Sequence, residues 1–558
     1  MSVSRRTVLQ AAGISTALAA TGFSLSGCST SSGKSDTGNA GKDLAPWPTY
    51  VPHPDAAKPD LAPTEEGVQP GFTSYPRTLS KSVAEKPGDG SKVTVWTITW
   101  GAPPKPKAKH QLWQAINKAL GVDLELTVIP ATEAPQKYAA LVAGGEFPDV
   151  IAVTAFLPDV AELVSAKCQD LTEHLSGDAI KKYPNLAAIP TYAWKATGRI
   201  GGRLYRVPVE RPRIGQSLYV NKERFEKAGI WMPETGALGA EQLTEGLLQI
   251  GRTHRNKYPI GAGGNGAFNY NSIVPTFGSP NRWLLKDGQF LPSAGEDTTK
   301  AAIEYLATWQ KAGVHRPDPL SHDATLGSDF MSGITAATGN SNASFTGWAT
   351  GIKDGFTLET LRPFKPTNGA TPGHWLAPGA DYQTALKKAP KARIELLLRV
   401  LDFLAAPFGT EEYELINYGV EGTHFERGDD GSPAQTELAL NGDNKDTLGV
   451  GFMACPQQVL YLPSSVPGAA ETVKRRHAFQ SEVITSGVAD PSLGLLSATW
   501  SAKKEQLDLF AGDLVKAIVM GRKSISDWDP MVKQWKSRGG AQAAEELAKE
   551  YEAANKAS

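Results

Sequence analysis

The chain predicts an α/β fold on parallel sheet, from three observations. Residues 93–153 alternate between strand and helix signatures, a second alternation begins near residue 217, and apolar stripes at helical spacing recur towards the C-terminal end. Val93-Thr94-Val95-Trp96-Thr97-Ile98-Thr99 is a β-branched run that stops at Trp100-Gly101-Ala102-Pro103-Pro104, a strand followed by a loop. Leu112, Trp113, Ile116 and Leu120 then recur at helical spacing. Residues 124–129 read as a strand, 136–143 as a helix and 149–153 as a third strand. Such crossovers are right-handed and leave ligands beyond the carboxyl ends of the strands, where Trp100 stands.

In the second alternation Ser217-Leu218-Tyr219-Val220 is the strand, and Asn221 caps a helix that carries Phe225 and Ala228 and ends at Gly229. Ile303, Leu306 and Trp309 mark one core helix, and Ile394, Leu397, Leu398, Leu401 and Leu404 a stronger one. Leu507, Phe510, Leu514 and Ile518 share the face of another, with Gly521 as its stop and Ser526-Asp527-Trp528-Asp529 as a new start.

Composition narrows the function classes. The 558 residues carry 57 Lys+Arg against 58 Asp+Glu, a formal charge of −1, so no long-range field gathers nucleic acid. With 41% hydrophobic and 21% charged residues the chain is neither mainly disordered nor a multi-span membrane protein. The length fits several domains or one large two-lobed unit.

Residues 1–27 read as a signal. Arg5-Arg6 precede a weakly apolar stretch, 8–25, as in twin-arginine export signals, and Gly13, Ser15 and Thr16 make it a poor permanent anchor. Leu25-Ser26-Gly27-Cys28 resembles the bacterial lipobox, which implies a lipid on Cys28 and an extracytoplasmic protein held at the outer face of the membrane. Residues 28–91 are a Ser/Gly/Pro-rich tether. Its Trp47, Tyr50, Phe72 and Tyr75 leave open whether part of it packs on the body. Cys168 and Cys455 lack zinc or redox spacing and read as two buried free thiols, although the compartment permits pairing.

Four segments resemble the extracellular solute-binding lipoproteins of bacterial ABC importers, in the large carbohydrate-binding branch of aldouronate and oligosaccharide receptors. They are Gly144-Gly145-Glu146-Phe147-Pro148-Asp149-Val150; Gly202-Arg203-Leu204-Tyr205-Arg206-Val207-Pro208 with Leu218-Tyr219-Val220-Asn221-Lys222 and Phe225-Glu226-Lys227-Ala228-Gly229; Asn417-Tyr418-Gly419-Val420-Glu421-Gly422-Thr423-His424-Phe425; and Asp527-Trp528-Asp529. The resemblance covers about residues 92–558. It implies a two-lobed, periplasmic-binding-protein-like α/β fold with a ligand cleft between lobes joined by several crossing segments. One lobe is expected from 92–212 plus about 337–390, the other from 213–336 plus about 391–558. The implied ligand is an oligosaccharide or sugar and the implied partners are ABC transporter permease subunits, for a monomer with no cofactor. Arg206 stands where a small residue is common, and the tether is longer than usual.

A sugar offers C–H faces that stack on aromatic rings and hydroxyls that donate and accept, so its pocket needs aromatic platforms beside planar polar groups. Trp100, Trp283, Trp348 and Trp375 lie in turn contexts and are candidate platforms, while Trp113 and Trp309 sit on apolar helix faces and read as core. Glu210, Arg211 and Arg213 follow the crossover. They either line the cleft floor, where guanidinium forks hold hydroxyls or a uronate carboxylate, or pair with one another. Asn269, Tyr270 and Asn271 form a candidate cleft wall, and Glu421 and His424 either bond a sugar or brace a sharp turn.

Other motifs fail. Gly261 to Gly266 matches G-x-G-x-x-G, but Pro259 interrupts the strand before it and no helix opening is legible after it. Asp443-Asn444-Lys445-Asp446 puts Lys445 at a ligand position, so no calcium loop or other metal site is predicted. Two competing readings are a surface-anchored glycan-degrading enzyme using Glu210 and Glu421, and a cell-envelope protein that keeps the fold without a small ligand.

Overall fold

Strand Lys92–Thr99 lies inside a five-stranded sheet whose order is Asp123–Pro130, Lys92–Thr99, Val150–Ile151, Ala380–Leu386, Arg206–Glu210. This computed structural model describes residues 37–253, 257–261, 267–352 and 355–556, so the twin-arginine stretch and Cys28 lie outside the described residues. The first three strands are parallel, as the strand–helix alternation requires, and Ala380–Leu386 runs antiparallel to both neighbours. Helix Gln111–Leu120 starts where His110 accepts the Trp113 N–H and ends at Gly121 with φ 69°. It buries Leu112, Trp113, Ile116 and Leu120 against Val93, Val95, Ile98 and Val150.

The second sheet has the order Leu358–Thr360, Gln216–Asn221, Thr335–Ser341, Tyr258–Ile260. It is mixed rather than parallel, because Thr335–Ser341 pairs antiparallel with Gln216–Asn221 and parallel with Tyr258–Ile260. Asn221 Oδ1 accepts the Arg224 N–H and caps helix Lys222–Lys227. A separate core forms here from Leu218, Val220, Phe225, Trp309, Leu507, Ile518 and Trp528. Among the described residues no helix is long and apolar enough to cross a membrane.

Beyond residue 92, and among the described residues, three segments pass between the two lobes. Residues 211–215 join Arg206–Glu210 to Gln216–Asn221, residues 361–379 join Leu358–Thr360 to Ala380–Leu386, and residues 455–459 join the first core at Met453 to strand Leu460–Tyr461. The lobe boundaries therefore differ from expectation. Residues 335–341 and 358–360 belong to the second sheet, and helix Lys391–Leu404 with Ile416, Leu448 and Val450 belongs to the first core. Periodicity identifies a strand or an apolar stripe but not the sheet it joins.

Residues 45–82 are not a free tether. Ala45 N donates to Gly202 O at 2.8 Å and the Arg199 guanidinium lies 3.5 Å from the Trp47 ring, both on the first lobe. The chain then reaches the other side of the hinge, where Gly71–Phe72 pairs with Leu460–Tyr461 and Gln69 exchanges hydrogen bonds with buried Gln480. Val68 packs with the crossing residues Ile214 and Leu376. The segment returns to the first lobe, where Tyr75 Oη donates to Glu414 and Ser82 N to Glu412. It is a strap across the hinge, held by aromatic rings that an open linker would leave in water. Cys168 and Cys455 are unpaired, and burial pushes the Cys168 thiol up to about 12.

Candidate ligand-binding site

Trp100 follows the carboxyl end of Lys92–Thr99 and is 66% exposed. Thr99 Oγ1 fixes this turn: it accepts the Gly101 N–H at 3.0 Å and donates to Asp446 O at 3.0 Å. The Trp100 indole N–H lies towards the Tyr382 hydroxyl, and the Tyr382 ring meets Phe452 edge-on, with centroids 5.1 Å apart. The Arg211 guanidinium stands 5.5 Å from both rings and donates to Glu210 O at 2.9 Å. Three aromatic rings and a guanidinium thus form one wall where the first crossing leaves its sheet.

Asp381 completes this wall. Its surface is exposed, yet desolvation raises its carboxyl above the usual carboxylate range, with Arg211 pulling the other way.

Of the sequence-predicted residues, the structure brings Trp100 and Arg211 together and places Glu210 behind them. Glu210 is fully buried: Tyr192 Oη donates to Oε1 at 2.6 Å and Gln458 N to Oε2 at 2.8 Å. Burial pushes its carboxyl up to about 7. It braces the crossings with both carboxyl oxygens. Arg213 Nη1 donates to Glu66 O at 2.9 Å, so this guanidinium secures the strap. Tyr270 is half-buried, 6.2 Å from Trp375, and desolvation raises its phenol. Trp375 donates to Ser279 O at 2.7 Å.

Three other expectations, Trp283, Asn269 and His424, are corrected by burial, and Trp348 is half-buried. Trp283, 1% exposed, is packed among Trp500, Trp535 and Phe290 in the second core. Trp348 packs on Phe330 and Tyr219. Asn269 is buried, its amide donating to Gly261 O and accepting the Gly339 N–H, which spends both ends on the backbone. One short helix, Tyr270–Ile273, does open after it, while residues 262–266 of the glycine run lie outside the described residues. His424 is buried between Asp443 Oδ1, at 3.2 Å, and the Val420 N–H. Glu421 is exposed and takes Arg427 at 3.1 Å. Glu210 and Glu421 therefore each have local protein partners. Among the described residues no group of three or more His, Cys, Asp or Glu is arranged to hold a metal.

Sequence reasoning missed Asp381, Tyr382 and Phe452. Turn contexts single out tryptophans, whereas these residues sit on a strand and a short 3-10 turn. An acid–aromatic pair opening a strand after Gly379 was the available signal. Two cavities, of about 250 and 150 Å³, lie away from the wall, beside residues 81–87 and helix Phe345–Gly351 respectively.

Comparison with known proteins agrees with this architecture. The chain is 22% identical over 498 residues to the polygalacturonan/rhamnogalacturonan-binding protein YtcQ of Bacillus subtilis (strain 168), covering 86% of this chain and 94% of that protein. It is 23% identical over 505 residues to lipoprotein LipO of the same strain, covering 85% and 95%. Among solved structures, an HMO-binding, ABC-transporter-associated solute-binding protein from Bifidobacterium longum infantis superposes with a TM-score of 0.60 at 16% identity, over 84% of this chain and 99% of that one. Its likeness shows the two-lobed fold. Residues 111–388 match the bacterial extracellular solute-binding protein family, to which this chain belongs.

Proposed function

We propose that the protein is the substrate-binding lipoprotein of an ABC importer, which captures an oligosaccharide between its lobes and delivers it unaltered to membrane permeases. The observation that carries this reading is the wall of exposed Trp100 and half-buried Tyr382 and Phe452, with Arg211, at the first crossing. Aromatic faces take the C–H faces of sugar rings, and the guanidinium supplies directed donors. The names of YtcQ and of the Bifidobacterium protein, both glycan binders, support the ligand class. Ligand held on the first wall adds contacts from the second lobe, where Tyr270 is the candidate, and shifts the equilibrium towards a closed form. A micromolar affinity, about −8 kcal/mol, is within reach of a few stacked rings and hydrogen bonds.

The lipobox-like Cys28 and the relative named as a lipoprotein support anchorage at the outer face of the membrane, with the twin-arginine segment as export signal. The protein acts as a monomer. Calorimetry against oligosaccharides, with the products followed by chromatography, tests the reading: saturable binding without cleavage is expected. Turnover would favour the glycan-degrading enzyme, and silence a cell-envelope protein without a small ligand.

A further inference from the structure

Strand Ala380–Leu386 pairs with Arg206–Glu210, but its register is broken at its first step. Ala380 lies opposite Glu210 and Tyr382 opposite Val209, which leaves Asp381 as an extra residue pushed out of the ladder. A bulge of this kind re-aims a side chain, and here it sets an acid beside the aromatic wall. Among the described residues Asp381 has no hydrogen bond or ion pair; Arg211 acts on it only through its field.

Apart from Arg211, which spends one of its N–H donors on the protein, the cations around it are engaged. Arg211 lies against the Tyr382 and Phe452 rings and donates to Glu210 O. Arg213 holds the strap through Glu66 O, and Lys445 donates to Asn417 Oδ1. Arg206, at the far end of its strand, donates to Thr197 O. A uronate carboxylate docking on this wall would meet Asp381 at close range, with only Arg211 to offset it. Sugar hydroxyls, in contrast, are donors that an unpartnered carboxylate accepts as charge-assisted hydrogen bonds.

Building on the oligosaccharide-binding reading, we propose that Asp381 determines specificity: it accepts hydroxyl hydrogens of a sugar ring stacked beside Trp100 and Tyr382, and selects neutral glycans over uronates. The selection works in both directions, by added hydrogen bonds to one class and like-charge repulsion of the other.

Titration calorimetry with the mature protein tests it, using the tetrasaccharides of xylan, mannan, galactan and starch against tetragalacturonate. At least one neutral tetrasaccharide is expected to bind about tenfold or more tighter than tetragalacturonate. Asp381→Asn, which keeps the shape and removes the charge, should weaken the neutral ligand by about tenfold and narrow the gap, while Asp381→Glu restores part of the preference. Thermal unfolding of both variants should match the parent, since the side chain is exposed and makes no hydrogen bond or ion pair to lose. Equal or tighter binding of tetragalacturonate, or a neutral affinity untouched by Asp381→Asn, overturns this inference and leaves the oligosaccharide reading standing. Silence across the whole panel overturns both.

Discussion

Tyr192 Oη donates to Glu210 Oε1 at 2.6 Å, while the opposite oxygen of the same carboxyl takes the Gln458 N–H at 2.8 Å. One fully buried acid therefore ties helix Thr191–Thr197 of the first lobe to two of the three crossings. Burial raises its carboxyl from 4.5 to about 7, so the folded protein holds this proton more tightly than the unfolded chain does. The stabilising contribution is complete below pH 4.5 and declines as pH climbs through about 7. Asp402, raised from 3.8 to about 7 by the same cause, acts in the same direction. Melting temperature is expected to fall between pH 5 and pH 8, with a shallower slope in Glu210→Gln; a slope unchanged by the substitution would refute the assignment. Glu210→Ala, which strands a buried hydroxyl and a buried N–H, should cost about 1–3 kcal/mol per group at any pH.

Trp100 and Trp283 looked alike in sequence and should behave in opposite ways. Trp100→Ala removes an exposed ring, so thermal unfolding should hardly change while glycan binding weakens by about 1–3 kcal/mol. Trp283→Ala empties the centre of an aromatic cluster and should cost about 3–5 kcal/mol of stability. Paired calorimetry and denaturant unfolding separate the two effects.

Trp348→Ala is expected to destabilise the edge of the second lobe where the ring packs on Phe330 and Tyr219, with no loss of ligand affinity at a temperature where the variant is folded. A variant of full stability and reduced affinity would return Trp348 to the ligand site.

The strap can be tested at its buried amide pair. Gln480→Ala leaves the Gln69 N–H and side chain without partners and should cost about 1–3 kcal/mol. It should also speed proteolysis at the exposed residues 64–66, read by limited digestion followed by mass spectrometry. Digestion at the parent rate would show that the strap is held without this pair.

Much of the fold was legible because it is written in local periodicity. The β-branched run 93–99, the stripe Leu112, Trp113, Ile116, Leu120 and the Asn221 cap each specify an element within a dozen residues, and each is found in the structure. The site was less legible. Trp100 announced itself by its place after a strand, whereas Asp381 matters through a bulge defined by a partner strand some 170 residues away in sequence. His424 and Asn269 illustrate the converse: polar residues in loops whose every partner is protein.

The amino-acid sequence alone was enough to identify an α/β chain, since side-chain alternation and caps act over a few residues, while the solute-binding reading rested on the resemblance of four segments to that family. Which sheet residues 335–341, 358–360 and 380–386 join, and that residues 45–82 clasp the hinge instead of trailing from it, emerged only in three dimensions. Strand pairing and strap packing are chosen by the total apolar surface and backbone hydrogen bonding they satisfy across distant parts of the chain, and no local pattern encodes that sum.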